Sequence, residues 1–326
     1  MPSAASTRAA ARAAAARMRT ARHLLSKYSE PVATAFAALA RLSACVGLPG
    51  IYGAVGTTCN YYDIQSPPCV PAGFYVQAGS VTAGWVVEGA SMYAAKVKPS
   101  AQDGKFQPGI LIAVEATSNG NIGLQQGLTG CTGCGVQGEH LTSAQALFQS
   151  TRRAIDQIDW SCSPGAVGCT IYLTAYGPGA AVAQLLAWQL AQAGYSVGTS
   201  YLFNAPMVGD ETFANKMTEQ FAKPGYGPIV NVVTGRGSTS PSAPSFKPWM
   251  PEVFYAAADS STVTAACIAG DAACGSAVVP LPPRPTSGEC THALAPGHDL
   301  CTAHGAQCYA GWPLQVPSQF QQQAQR

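Results

Sequence analysis

Short, wholly apolar runs alternate with longer amphipathic ones through the middle of the chain. "GILIAVEAT" (109–117), "TIYLTAY" (170–176) and "TSYLFNAP" (199–206) are bounded by Pro, Gly or Asn and read as buried strands. "PIVNVVTG" (228–235) has the same character. Between them, "LTSAQALFQSTRRAIDQI" (141–158) places Leu141, Ala144, Leu147, Phe148, Ala154, Ile155 and Ile158 near one helical face. "AAVAQLLAWQLAQA" (180–193) predicts a second helix directly after the turn "GPG". Earlier, "PVATAFAALARLSACV" reads as a helix with Val32, Phe36, Leu39 and Ala40 at helical spacing, and "GWVVEGASMYAAKVK" as paired strands. "NGNIGLQQGLTGCTGCGVQG" (119–138) reads as loop. Strands alternating with helices at this spacing predict an α/β fold with a mainly parallel central sheet flanked by helices.

Composition narrows this picture. With 326 residues and 47% hydrophobic side chains the chain can bury one large α/β core. Charged residues are only 10%, which disfavours a nucleic-acid binder. The net charge of +2 is uneven, because residues 1–29 carry six Arg/Lys and no acid. That stretch reads as a basic leader of the transit-peptide kind, and residues 30–326 as a single domain with a Pro/Gly/Cys-rich tail. The apolar run after Pro31 is interrupted by Arg41, and no run reaches the ~20 residues of a transmembrane helix.

Twelve cysteines fall largely into local pairs: Cys59 with Cys69, Cys131 with Cys134, Cys162 with Cys169, and Cys267 with Cys274, leaving Cys45, Cys290, Cys301 and Cys308. The even count predicts disulfides, and hence an oxidising compartment, organellar or secreted. Cys290, His292, His298, Cys301, His304 and Cys308 offer zinc ligands, but their irregular spacing argues against a structural site. No metal and no cofactor is expected.

A serine-hydrolase mark, Gly-x-Ser-x-Gly, occurs at Gly194-Tyr195-Ser196-Val197-Gly198. Its context is reversed, since a helix runs into it and a strand leaves it, whereas a nucleophile elbow is strand, turn, helix. The right context lies at "YLTAYGPGAAVAQLLA". This segment resembles the "TGHSLGGALA" elbow of class 3 (fungal-type) triacylglycerol lipases. "IAVEAT" resembles that family's "VVFRGT" oxyanion strand, "VQGEHLTSAQALFQSTRRAI" its "VHxGFxxAYxxv" helix, and "YLFNAPMVGDETFAN" its "YTFGxPRVGNxxFAN".

The resemblance implies an α/β-hydrolase-type fold and also marks where chemistry has been lost. Gly177 stands at the nucleophile position, and Pro178 follows it, with no N–H to hold an oxyanion. The other oxyanion position matches Thr117. Within "IVNVVTGRGSTSPSAP", resembling "RxxNxxDxVPxLPP", Gly235 falls where the acid is expected, while "GHDLCTAHG" matches "DHxxYFG" with His298 as the histidine. The resemblance further implies that Cys45 pairs with Cys308 or Cys301. The expected function is a lipase-like pseudoenzyme: an assembly subunit working with another protein, or a binder of lipid in the vestigial cleft. The alternative is an active esterase using Thr174, Ser196, Ser238 or Ser240 with His298. The family's lid region corresponds to the loop containing Ile122, Leu124 and Leu128, which has no aromatic wedge.

Overall fold

A computed structural model of the chain describes residues 28–43, 46, 74–77, 80–87, 89–99, 106–118, 123–234, 245–255 and 265–267. One sheet dominates. Its strands are β1 (Phe74–Val76), β2 (Thr82–Val87), β3 (Ala90–Pro99), β4 (Gly109–Ala116), β7 (Thr170–Tyr176), β8 (Ser200–Phe203), β9 (Ile229–Thr234), β10 (Glu252–Tyr255) and β11 (Ala265–Cys267). They run in the order β1-β3-β4-β7-β8-β9-β10-β11, with β2 beside β3. The five strands β4, β7, β8, β9 and β10 are mutually parallel, and antiparallel strands close both edges. The segment 119–138, expected to be loop, contains a two-residue pairing of β5 (Leu124–Gln125) with β6 (Val136–Gln137).

Helices cover both faces. On one lies α1 (Glu30–Leu42); on the other are α2 (Gly138–Ile158), α3 (Pro178–Gln192) and α4 (Glu211–Phe221). Strand side chains alternate between two separate cores, because period two sends neighbours to opposite faces. Ile110, Ile112, Val114, Ile171, Leu173 and Ala175 meet α2 and α3, whereas Leu111, Ala113, Tyr172, Tyr201 and Phe203 meet α1. Helix α3 is buried all round, which explains why its sequence is apolar without a polar stripe. It ends at Gly194 (φ 90°), where Tyr195 N–H bonds Leu190 O and Gly194 N–H bonds Ala191 O. That pair of bonds is the left-handed cap glycine favours.

The placement of α1 follows from three sheet hydroxyls. Thr174 Oγ1 donates to Phe36 O (3.0 Å), Tyr93 Oη donates to Leu39 O (2.6 Å), and Tyr201 Oη accepts from Ser29 N–H (3.2 Å). Tyr93, Ala113, Thr174 and Tyr201 are register partners across β3, β4, β7 and β8. Three strand spacings are about 14 Å and ten helical residues about 15 Å, so α1 lies across four strands at one level. Burial pushes the Tyr93 hydroxyl well above its usual pKa, which keeps it a donor. The apolar run after Pro31 therefore belongs to the folded core: Val32, Phe36 and Leu39 are each no more than 1% exposed.

Two of the expected disulfides are present, Cys131–Cys134 and Cys162–Cys169, which fits an oxidising environment. Cys45, Cys59, Cys69, Cys274, Cys290, Cys301 and Cys308 lie outside the described residues, and of Cys267 only the backbone is described. The basic leader through residue 27 and the zinc candidates His292, His298 and His304 also lie outside them. No helix among the described residues is long and apolar enough to cross a membrane.

Candidate functional site

The crossover from β7 to α3 places Gly177 at the carboxyl edge of the parallel strands, where α/β sheets carry their ligand sites. Gly177 has φ 52° and ψ −122°, a conformation that strains any residue with a Cβ. Its N–H donates to Phe203 O (2.9 Å), and its carbonyl accepts the first helical bonds from Ala180 and Ala181. Pro178 opens α3 at the position where a missing N–H matters least. Gly179 allows α3 to approach β4: a Cβ there would lie 2.6 Å from Val114 O and 3.2 Å from Ala116 N.

Immediately after β4, Thr117 is exposed, and both its N–H (2.8 Å) and its hydroxyl (3.2 Å) go to Gly89 O. Beside it Ser118 Oγ hydrogen-bonds Glu139 Oε1, which also accepts from Gln137 Nε2 (3.2 Å). His140, in the first turn of α2, is 3% exposed with Nε2 3.6 Å from Glu139. Burial holds its pKa below the ordinary value against the pull of that carboxylate. The donors along this edge thus point at protein acceptors.

The serine and threonine alternatives are also engaged. Thr174 is fully buried and donates to α1, so it faces away from the α3 side of the sheet. Ser196 sits in the turn between α3 and β8 and donates to Gly225 O (2.8 Å). That turn is at the amino end of the strands, the edge opposite Gly177. Gly235, Ser238, Ser240 and His298 lie outside the described residues. In the segment that resembles the family's lid region, Leu128 is buried, Leu124 is 42% exposed, and Ile122 is outside the described residues.

A polar cluster that sequence reasoning missed lies under the β8–α4 connection. Asn231 on β9 holds both backbone groups of Ala205, accepting at Oδ1 (2.9 Å) and donating from Nδ2 (3.3 Å), and it also donates to Glu252 Oε1 (3.0 Å). Gln184 donates to Pro206 O (2.9 Å) and accepts from Trp249 Nε1 (2.8 Å). These residues line a crevice with room for about one water molecule. Isolated polar letters in apolar runs, such as Asn231 in "IVNVV", were the available signal.

Glu252 is 8% exposed, and burial raises its pKa while Asn231 opposes the shift. The folded protein therefore holds this proton to higher pH than the unfolded chain does. Its contribution to stability is present at acid pH and is lost as pH rises from the unfolded value, about 4.3, through the folded one. Glu252→Gln, which cannot ionise, is expected to gain stability over wild type at pH 8 and to match it near pH 4. Urea titrations at the two pH values measure this; an equal offset at both would show that Glu252 ionises freely in the fold.

The strand order, the helices on both faces and the strand–turn–helix at Gly177 define an α/β-hydrolase-type architecture. No protein family matches the sequence, and no curated protein matches it. Solved structures similar to it include lipases. A lipase from Rhizopus microsporus var. chinensis aligns over 63% of this chain and 72% of its own at 15% identity and TM-score 0.43. The native Rhizomucor miehei lipase propeptide complex aligns over 70% of both chains at 15% identity and TM-score 0.46. A mutant form of MDLA from Penicillium cyclopium aligns over 73% and 83% at 16% identity and TM-score 0.48. At this identity the likeness concerns fold and assigns no residue roles.

Proposed function

We propose that this chain is a lipase-like pseudoenzyme that serves as an assembly subunit or a lipid binder rather than a hydrolase. The observation that carries the reading is Gly177, which occupies the elbow in a backbone conformation that glycine adopts at little cost and has no side chain to attack an ester. Two further features support it. Pro178 has no N–H for an oxyanion, and the Thr117 N–H is already bonded to Gly89 O. Loss of a single oxyanion donor lowers rate by about 10²- to 10³-fold. Gly235, at the position that resembles the family's acid, carries no carboxylate.

The purified full chain is expected to show no turnover of a short acyl ester and no labelling by a serine-directed fluorophosphonate. Gly177→Ser alone is expected to stay inactive, because the donors and the acid are still missing. Wild-type turnover that disappears in Ser196→Ala would overturn the reading in favour of an esterase. A Gly177→Ser variant with full activity would show that the remaining machinery is intact.

A further inference from the structure

The connection from α2 to β7, "DWSCSPGAVGCT" (159–170), lies at the amino ends of the parallel strands, on the edge opposite Gly177. Trp160 is 84% exposed there and Val167 is fully exposed. A large exposed indole is the informative case, because a lone surface aliphatic is ordinary. From Trp160 to Thr170 there is no charged residue.

The loop is also held in shape. Cys162–Cys169 closes it, Gly165 N–H bonds Gly194 O (2.9 Å), and Cys162 N–H bonds Asp159 O (2.9 Å). Asp159, the residue before Trp160, is tied to Lys96 Nζ (2.5 Å) and to Ser161 Oγ (2.5 Å). Its carboxylate is therefore neutralised at the base of the loop. What projects is an indole and an isopropyl group on a rigid, uncharged frame.

We propose that this loop docks the protein on a phospholipid bilayer surface, with Trp160 and Val167 entering the interfacial layer. Indoles settle at headgroup depth, where the ring is in an apolar medium and its N–H keeps a polar partner. An uncharged segment enters that layer without the cost of moving a charge out of water. Two side chains are too few for a protein partner, since a stable interface buries about 1,200–2,000 Å². A bilayer needs no matching shape. One shallow anchor gives reversible binding, and the six basic residues of the leader supply a second, electrostatic attraction to anionic lipid. Bound this way, the protein turns the edge that carries Gly177 toward water, so docking does not use that edge.

The test is co-sedimentation of the full chain with vesicles of phosphatidylcholine alone and of phosphatidylcholine mixed with phosphatidylserine. Wild type is expected to partition onto both, more strongly onto the mixture. Trp160→Ser/Val167→Ser is expected to lose about tenfold or more on both, with its thermal unfolding unchanged because both side chains are solvent-facing. Equal partitioning of the double variant overturns the proposal. So does binding that occurs only on the anionic vesicles and disappears with salt, which assigns it to the leader. A concentration-dependent dimer that the double variant abolishes without vesicles assigns the loop to a second copy of the chain instead.

Discussion

Gly179→Val is expected to lose on the order of 3 kcal/mol or more of folding stability, measured by urea unfolding. The cause is geometric. The first turn of α3 rests against the backbone of β4, and even a single Cβ on Gly179 would sit 2.6 Å from Val114 O and 3.1 Å from Glu115 Cα. Backbone cannot rotate away as a flexible side chain can, so either α3 retreats from the sheet or β4 shifts against β7. Both movements open a core in which Val114, Ala175 and Ala180 are essentially inaccessible to solvent. Gly179→Ala should show a smaller loss of the same sign. Wild-type stability in the valine variant would mean that the helix can withdraw freely, and that the elbow is not held by this close approach.

The second large effect is expected at Phe36. The ring is fully buried at the centre of α1, edge-on to Tyr201 at 5.3 Å and to Tyr172 at 6.3 Å. Truncating a buried phenylalanine to alanine costs about 3–5 kcal/mol, and loss of the aromatic pairs adds to it. Phe36→Ala should therefore unfold at markedly lower urea and expose α1 to protease while the sheet is still formed. Near-wild-type stability would show that α1 contributes little to the core.

Much of this fold was legible because its central strands are buried on both faces. Such strands appear as unbroken apolar runs, and "GILIAVEA" and "TIYLTAY" correspond to β4 and β7 almost residue for residue. The elbow was legible too, since glycine and proline mark a turn between strand and helix. The polar anchors were not. Thr174 and Tyr93 sit among apolar neighbours, and their role depends on carbonyls of a helix more than 50 positions away. Asn231, Gln184 and Glu252 were hidden for the same reason: Asn231 and Gln184 hold backbone groups of Ala205 and Pro206, and Glu252 meets the Asn231 side chain, all brought near only by the crossovers. Asp210 was accessible in principle. It precedes "ETF" as a helix-capping acid should, accepts from Phe213 N (2.9 Å), and its other oxygen holds Gly135 N (2.8 Å). The small β5–β6 pairing escaped notice because two residues cannot establish an alternation.

The position of α1 also bears on how the chain is made. This helix is synthesised early, yet every sheet group that holds it comes later: Tyr93, then Thr174, then Tyr201, the last contact spanning 172 residues from Ser29. At roughly 5–20 residues per second, an apolar segment leaves the ribosome on the order of ten seconds or more before its full binding surface exists. Closing so long a loop is slow as well. During that interval the side of α1 that is later buried is open apolar surface, the kind that makes a nascent chain prone to aggregate until β8 has joined the sheet.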